Sequence, residues 1–390
     1  MADRPHFPKV AGKSRNGGFL TCPSPALILA ARPFAAYGER MTIQLSVRDA
    51  RRMRWQSQLL GGSDLGPADV VNRAVALQGQ NLPAVLRALA LRSRPGTSAA
   101  DVRAAFNSGA LVRSWPMRGT LFATTPEHLG TLLWFTAERI HRATMRRREE
   151  LGLDDHTVGR ARDLLLEALG TRPLRRAEVL ALWDAAGIPT AGGPGYHLLL
   201  HLAVGGHVHW GAFDPDRPEQ LLTFSPVYAP ADPEAALAET VRGFVLARGP
   251  VTEGDLAWWT KLPRTVLRRA AAAVEDLTTV EVGGAAYWMI GEPGPARTRG
   301  AVLLPGFDEW ILGYGDRSLT TSPAMFQAVV PGRNGIFRPT VVVDGITVGT
   351  WRLPRTSSRA AVEPGVELVE QVPAAARRAI AQAAAAWPHG

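Results

Sequence analysis

The sequence predicts an α+β protein with three successive helix-rich blocks and a strand-rich C-terminal part. The first observation is a repeated order of elements: three helices and a two-stranded hairpin span 154–224 and again 233–290, and 46–124 resembles this order. The second observation is that the chain becomes strand-rich after Arg299. Three helices with a hairpin form the winged helix-turn-helix plan. We therefore expect three tandem winged-helix motifs followed by a β-rich domain.

Helix caps and apolar periodicity place the individual elements. Ser46 is predicted as the N-cap of the first helix, and Pro126 opens a long helix. Helices are predicted at about 46–60, 68–78, 82–92, 99–108, 126–150, 154–169, 174–186, 194–204, 233–248, 252–261, 263–276 and from about 373 onwards. Hairpins are predicted at about 109–124, 206–224, 278–290 and 338–352, the last two turning at Gly283-Gly284 and Asp344-Gly345.

These elements divide the chain into five parts. The expected parts are a leader at 1–41, winged helices at 42–150, 151–230 and 231–297, and a β-rich domain with a terminal helix at 298–390. The first 40 residues carry six basic and two acidic residues and show no periodicity. Pro23 and Pro25 interrupt the short apolar run that a signal peptide would need. We expect a disordered leader or an artefact of start-site choice, with Met41 a natural start.

Composition indicates a globular protein with an affinity for nucleic acid. Of its 390 residues, 46% are apolar and 20% charged, and the apolar runs are too short to span a membrane. A single cysteine excludes an intrachain disulfide framework. The net charge is +9, and almost all the positive charge is arginine. Arginine binds phosphate with two donors at once, although arginine and alanine richness also accompanies a GC-rich genome.

The stretch from Ala76 to Pro83 contains the most informative polar residues. The apolar stripe of the predicted helix at 68–78 reaches Gln78, where a core residue is expected. Gly79 weakens the helix at this point, and a bent or extended segment would turn Gln78 and Gln80 towards one cleft. The alternative is a helix C-terminus at which both amides cap carbonyl groups.

Basic residues mark two candidate DNA-binding surfaces. Arg113, Trp115 and Arg118 lie on or beside the first hairpin, in a pattern suited to stacking on or inserting into DNA. An ordinary wing with a packed tryptophan gives the same pattern. The second surface is the end of the long helix, where Arg142, Arg146 and Arg147 contact phosphate or compensate charge at the helix C-terminus.

Other candidate sites have simpler explanations. Adjacent carboxylates at Asp308 and Glu309 point in different directions, so at most one faces a cleft as a general base. Pairing with Arg317 or with helix N-termini is the alternative for both. Histidines at 197, 201, 207 and 209 lack the further ligands of a zinc site, so we expect no metal. Glycine-rich nucleotide loops and the Gly-x-Ser-x-Gly elbow are absent, and we expect no cofactor.

An ordered set of motifs resembles one protein family. The motifs are Leu77-Gln78-Gly79-Gln80, Met117-Arg118-Gly119-Thr120-Leu121, Leu304-Pro305-Gly306-Phe307-Asp308-Glu309, Leu312-Gly313-Tyr314-Gly315-Asp316-Arg317, Asn334-Gly335-Ile336-Phe337-Arg338-Pro339-Thr340, Val343-Asp344-Gly345 and Gly349-Thr350-Trp351-Arg352. The set resembles the winged-helix bacterial DNA glycosylases of the azinomycin-resistance type, often called AlkZ-like. The resemblance covers residues 42–375.

The resemblance implies a fold, a reaction and a site. The fold would be three tandem winged helices and a β-rich domain in a C-shape around duplex DNA. The reaction would be hydrolysis of the N-glycosidic bond of N7-alkylated purines, including the unhooking of interstrand crosslinks. The family's glutamine, middle residue, glutamine motif implies Gln78 and Gln80 as catalytic residues, with Asn81, Asp308 and Glu309 as possible supporting residues.

Two departures from the family pattern stand out. Relatives usually carry a small aliphatic middle residue, whereas this chain has Gly79, which would loosen the backbone. Relatives often place a histidine after the Arg-Gly-Thr-Leu run, whereas this chain has Phe122, so no role of that histidine is carried over.

The expected function is that of a monofunctional alkylpurine DNA glycosylase, in the role of self-resistance to a genotoxin. Its expected partner is double-stranded DNA carrying alkylated purines, with no membrane partner, and it would act as a monomer in the cytoplasm near the nucleoid. The competing hypotheses are a non-catalytic winged-helix DNA-binding protein, such as a transcriptional regulator, and a relative that binds adducts without cutting.

Overall fold

The computed structural model describes residues 43–224, 229–298, 300–332, 335–354 and 363–387. The expectation for the leader at 1–41 lies outside these residues. The helices are α1 (Val47–Ser57), α2 (Pro67–Ala74), α3 (Leu82–Arg92), α4 (Ala99–Asn107), α5 (Pro126–Glu150), α6 (Asp155–Leu169), α7 (Arg176–Ala185), α8 (Pro194–Val204), α9 (Pro233–Arg248), α10 (Glu253–Thr260), α11 (Arg264–Ala271), α12 (Glu309–Leu312), α13 (Pro323–Val329) and α14 (Ala374–Ala385).

The strands of the described residues form three sheets. The strands are β1 (Ile43–Leu45), β2 (Ala76–Gln78), β3 (Val112–Met117), β4 (Thr120–Thr124), β5 (His209–Phe213), β6 (Gln220–Thr223), β7 (Leu277–Val282), β8 (Ala285–Ile290), β9 (Ala301–Leu304), β10 (Thr340–Val343), β11 (Ile346–Arg352) and β12 (Gly365–Leu368). Their orders in the sheets are β1-β7-β8, β12-β11-β10-β9 and β2-β4-β3-β5-β6. The predicted α+β class is confirmed.

Local sequence signals account for most helix boundaries. The side chain of Thr125 accepts a hydrogen bond from the His128 N–H at the start of α5, and the side chain of Asp232 caps α9 in the same way. Both helices carry proline at the first position, where no intrahelical N–H partner is needed. The predicted bounds of α5 and α9 are confirmed.

The predicted helix at 68–78 is wrong in its last turn. The helix α2 ends at Ala74, and Val75 adopts a left-handed φ of 68°. Residues Ala76–Gln78 then run as β2, antiparallel to β4, with Gln78 opposite Phe122. A strand of three residues lacks a measurable period, and its partner lies far along the chain. Long-range pairing with β4 therefore decides the structure here.

The hairpins of the first two blocks share one sheet. The strand β3 pairs with β5 at Arg113 and Trp210, which joins the two hairpins edge to edge. Neither hairpin is therefore a free-standing wing. The third block keeps a separate hairpin, and its β7 pairs in parallel with β1 near the start of the described chain.

The C-terminal part closes onto the first block. The Asp344-Gly345 turn is confirmed, with φ values of 48° and 75°, and Asp344 pairs with Arg52 of α1 at 2.8 Å. On the other face of its sheet, Trp351 packs against Trp387 after α14. No helix of the described residues is long and apolar enough to cross a membrane.

A shared core lies beneath β2 and β4. Ala76 and Phe122 are fully buried and belong to the hydrophobic cluster of α9, α10 and α11 in the third block. Ala123, the neighbour of Phe122, belongs instead to the cluster of the first block. The segment that carries both glutamines is thus packed between two blocks.

Candidate active site

The Gln78-Gly79-Gln80 segment is held on both sides of its central glycine. The Gly79 N–H donates to the Leu121 carbonyl at 2.7 Å, and the Gly79 carbonyl accepts from Nη1 of Arg113 at 3.0 Å. Arg113 is itself buried and donates from Nε to Oε1 of Gln220 at 2.7 Å. The backbone at Gly79 is therefore fixed, and the expected loosening is wrong.

Gly79 also lies too close to β4 for any side chain. A Cβ atom built at this position would lie 2.9 Å from the Ala123 nitrogen and 3.0 Å from the Phe122 carbonyl carbon. Both contacts are with backbone, which cannot rotate away as a side chain can. In this chain the glycine allows close approach of the motif to β4.

The two glutamine side chains reach consecutive residues of β4. Gln78 is 6% exposed, and its Nε2 lies 3.4 Å from Oγ1 of Thr120. Gln80 is exposed, and its Oε1 accepts from the Leu121 N–H at 3.1 Å. Both amides therefore contact the same end of β4, which fits the expected shared cleft and argues against simple helix capping.

The amide oxygen of Gln78 is the distinctive atom of this site. It is buried and accepts no hydrogen bond from any residue that the structure describes. A buried amide oxygen without a partner is costly, so such atoms commonly mark functional sites. Because Nε2 points to Thr120, Oε1 remains available as a hydrogen-bond acceptor.

Glu309 lies beneath Gln78 and connects it to the third block. Its Oε1 accepts the Gln78 N–H at 2.8 Å, and its Oε2 accepts from Nε of Arg248 at 3.0 Å. Arg248 extends the connection to α2 and β2, donating to the carbonyls of Ala74 and Ala76. Arg248 and Glu309 are 1% and 4% exposed, so their charges compensate each other within the core.

The neighbouring Asp308 points the other way. It pairs with both terminal nitrogens of Arg92 at 2.7 and 2.9 Å, and its Oδ1 caps α12 by accepting the Trp310 N–H. The predicted divergence of Asp308 and Glu309 and the helix N-terminal contact are confirmed, but the expected pairing with Arg317 is wrong. Because both carboxylates are buried in ion pairs, neither is placed as a general base.

A third buried pair completes this network. Arg54 of α1 lies 3.7 Å from Asp255 and stacks over the Tyr314 ring. The Tyr314 hydroxyl donates to the Arg248 carbonyl and accepts from Gln58, and burial raises its pKa above the ordinary range. These contacts join four separate stretches of chain behind Gln78.

The residues predicted on the first hairpin mostly face inward. Trp115 is 4% exposed and packs edge-on against Trp210 and Tyr196, so its predicted stacking on DNA does not fit its burial. Arg113 is also buried, and burial lowers its pKa to about 10. Its two hydrogen bonds to the protein place it as support for Gly79, away from the surface expected of a DNA contact. Arg118 remains partly accessible.

The arginines at the end of α5 are exposed. Arg142 pairs with Glu138, while Arg146 and Arg147 pair with Glu150. Such exposed pairs contribute at most about 1 kcal/mol each, so phosphate can replace the carboxylates.

The remaining candidates have structural roles. The Asn81 side chain caps α3 by accepting the Ala84 N–H at 3.0 Å. Phe122 is fully buried against Trp259. His201 stacks on His141, and burial lowers the pKa of His201 to about 3. Among the described residues, no three histidine, cysteine, aspartate or glutamate side chains are placed to hold a metal ion.

Sequence reasoning missed two residues of the site. Thr120 orients the Gln78 amide, and Arg248 supports Glu309. Thr120 lies within a motif that carried the family resemblance, so a signal existed. Arg248 ends an ordinary amphipathic helix, and no local pattern distinguishes it from an exposed arginine.

A comparison with protein families decides the family of the chain. The model of the AlkZ-like DNA glycosylase family matches residues 71–388, which include both glutamines and Glu309. The chain belongs to the AlkZ-like DNA glycosylase family. The family resemblance predicted from the sequence motifs is confirmed.

Individual AlkZ-like relatives agree with this assignment. An interstrand DNA cross-link repair glycosylase from Streptomyces sahachiroi is 29% identical over 131 residues, which cover 31% of this chain and 35% of that protein. The solved structure of Streptomyces sahachiroi DNA glycosylase AlkZ has a TM-score of 0.71 at 23% identity. It aligns over 88% of this chain and 96% of that chain, so the two share a fold.

Replacing Gly79 with alanine tests the close approach to β4. The new methyl group would push β2 away from β4, and we expect Gly79→Ala to lower the free energy of unfolding by about 1–3 kcal/mol. Urea denaturation followed by circular dichroism measures this change. The matched control is Gly159→Ala in α6, where a Cβ meets no atom within 4 Å and helix propensity favours alanine by about 0.5–1 kcal/mol. Equal stability of Gly79→Ala and wild type would contradict the close approach.

Replacing Glu309 with glutamine tests the buried support of Gln78. The substitution leaves Arg248 as an uncompensated buried charge, and we expect a loss of about 3–5 kcal/mol in the same measurement. The control, Arg242→Gln, breaks a half-exposed pair with Asp276 and should cost less than about 1 kcal/mol. Similar losses in the two variants would show that Glu309 does not support the site in this way.

Proposed function

We propose that this protein is a DNA glycosylase that hydrolyses the N-glycosidic bond of N7-alkylated purines in double-stranded DNA. Family membership supports the reaction class. The observation that carries the catalytic assignment is the buried, unpartnered Oε1 of Gln78 in the family's motif. The relative from Streptomyces sahachiroi is named a cross-link repair glycosylase, and we extend interstrand crosslinks to this chain as substrates.

The proposed reaction needs a placed water more than a strong base. Alkylation at N7 makes the purine cationic, so it leaves readily with the electron pair of the bond from C1′. The water oxygen then bonds to C1′, and one water proton passes to solvent. Gln78 Oε1 accepts a hydrogen bond from this water and orients it, while Gln80 lines the opening of the site. Orientation of a reactant in this way is a recognised source of rate enhancement.

The placement of the two carboxylates agrees with a reaction that uses a placed water and no general base. A general base would contribute about 10²–10⁴-fold, but Asp308 and Glu309 are committed to Arg92 and Arg248. A cationic leaving group makes a neutral amide sufficient. The glutamines also offer no amine nucleophile, so the proposed enzyme is monofunctional and leaves an intact abasic site.

DNA is proposed to bind across the helix-and-hairpin blocks as in tandem winged helices. The exposed Arg142, Arg146 and Arg147 of α5 can exchange their glutamate partners for phosphates. We further propose that the protein acts as a monomer in self-resistance to a DNA-alkylating agent. The family assignment does not favour the alternative of a non-catalytic regulator.

An excision assay tests this function. Duplex DNA containing 7-methylguanine is incubated with the protein, and free base is measured by chromatography. Wild type should release the base and leave the strand uncut, and Gln78→Ala combined with Gln80→Ala should be slower by about 100-fold or more. The control is Gln382→Ala, which removes an exposed glutamine on α14.

Three outcomes contradict parts of the proposal. No base release from several N7-alkylated duplexes would contradict the reaction itself. Unchanged release by the double variant would contradict the catalytic assignment of Gln78 and Gln80. Strand cleavage at the abasic site by the purified protein would contradict the monofunctional class.

A further inference from the structure

Three cationic side chains gather around the indole of Trp258. The guanidinium carbons of Arg118 and Arg317 lie 4.2 and 5.0 Å from its ring centroid, and Nζ of Lys261 lies 5.5 Å from it. These residues come from the β3–β4 turn, the end of α10 and the segment after α12. The tertiary structure therefore collects the three charges at one place, which we call the Trp258 cluster.

Among the residues that the structure describes, the Trp258 cluster has no carboxylate paired with it. Within the described part of the chain, no carboxylate lies within 4.0 Å of Arg118, Lys261 or Arg317. The arginines instead donate to carbonyls at the end of α12, Arg118 to Leu312 and Arg317 to Ile311. Carbonyl dipoles offset only part of the charge, so the cluster keeps a net positive potential.

The surrounding charges confirm this imbalance. The negative charge of Glu309 attracts Arg118, and the negative charges of Asp255 and Asp316 attract Arg317. Glu309 and Asp255 are already paired with buried arginines, which leaves the exposed Asp316 against three cations. Burial is the main cause that lowers the pKa of Arg118, to about 10, and the neighbouring arginines contribute.

The backbone holds two of these cations in strained conformations. Arg118 has a φ of 56° and Lys261 a φ of 60°, in the left-handed region that glycine or asparagine normally occupies. Arg139 of α5 also donates to the Lys261 carbonyl. Strain of this kind concentrates at functional sites. Charges that repel each other on a strained backbone indicate a site for an anion.

The Trp258 cluster lies directly beside the glutamines. Arg118 and Thr120 belong to the same turn, and Thr120 holds the Gln78 amide. The guanidinium carbon of Arg118 also lies 5.5 Å from the ring centroid of Phe122, the strand partner of Gln78. An anion bound here would be next to the group that reacts at Gln78.

We propose that Arg118, Lys261 and Arg317 bind one phosphodiester of the DNA strand that carries the damaged base, next to the sugar being hydrolysed. This assignment rests on the proposed glycosylase function. The exposed ammonium of Lys261 supplies a point charge, and the guanidinium groups supply directed donors. Fixing this phosphate fixes the sugar, and thereby places C1′ against the water at Gln78.

Neutral phosphate analogues test this assignment. A series of duplexes carries 7-methylguanine and one methylphosphonate, placed in turn at each phosphate near the lesion, and single-turnover release of base is measured. For wild type we expect one position at which neutralisation lowers the rate about tenfold, equivalent to 1.4 kcal/mol. Asparagine tolerates a left-handed φ, so Lys261→Asn removes the charge without changing the backbone. This variant should be about tenfold slower on natural DNA. It should lose no further activity when that one position is neutralised.

Two further variants control the measurement. Lys261→Arg keeps the positive charge that Lys261→Asn removes. It should keep both the wild-type rate and the wild-type sensitivity to neutralisation of the phosphate. Arg378→Gln removes an exposed cation on α14 and should behave as wild type. The free energy of unfolding of Lys261→Asn should not fall, because like charges are removed. A full rate for Lys261→Asn, or undiminished sensitivity at every position, would overturn the proposal.

Failure of the function and failure of this site have different signatures. If wild type releases no base, the glycosylase proposal fails, and binding to undamaged duplex then tests the cluster by itself. Lys261→Asn should bind more weakly, with the slope of log affinity against log salt concentration reduced by about one. An unchanged affinity and slope would overturn the phosphate site as well.

Discussion

The site depends on two hydrogen bonds that the Glu309 carboxylate accepts. One oxygen accepts the Gln78 N–H and the other accepts Nε of Arg248, both away from solvent. Arg248 continues to the carbonyls of Ala74 and Ala76, and so fixes the turn from α2 into β2. A buried charge without its partner is strongly destabilising, so the loss of one of these contacts weakens the others. The C-terminal part of the chain thereby positions a motif from the first block.

Among the described residues, this support leaves the buried amide oxygen of Gln78 without a hydrogen-bond partner. The Gly79 N–H, Nε2 of Gln78 and Oε1 of Gln80 each have a partner on β4, whereas Gln78 Oε1 accepts no hydrogen bond from the described residues. A neutral acceptor on a rigid frame is suited to orienting a water molecule. It has little power as a base, which matches a substrate that already carries the charge of a good leaving group.

Much of the fold follows from local sequence signals, whereas the site depends on contacts that those signals do not contain. The capped, proline-started α5 and α9 were predictable to the residue. The three residues of β2 were not, because β4 decides their pairing. Arg113 and Trp115 show the same limit, since an arginine–aromatic pattern is identical whether it faces solvent or core. Glu309 contacts Arg248 and Gln78, which lie 61 and 231 residues away in the chain. No local periodicity can predict contacts over such separations.

The central claim is that Gln78 Oε1 places the attacking water at C1′. The most direct measurement is a crystal structure of the protein with a duplex bearing a cationic azasugar at the lesion position, which mimics the charged sugar of the transition state. We expect one ordered water within hydrogen-bond distance of Gln78 Oε1, on the face of the sugar opposite the departed base. Bonding of Gln78 Oε1 to the protein alone, with that face of the sugar turned away from Gln78, would contradict the claim.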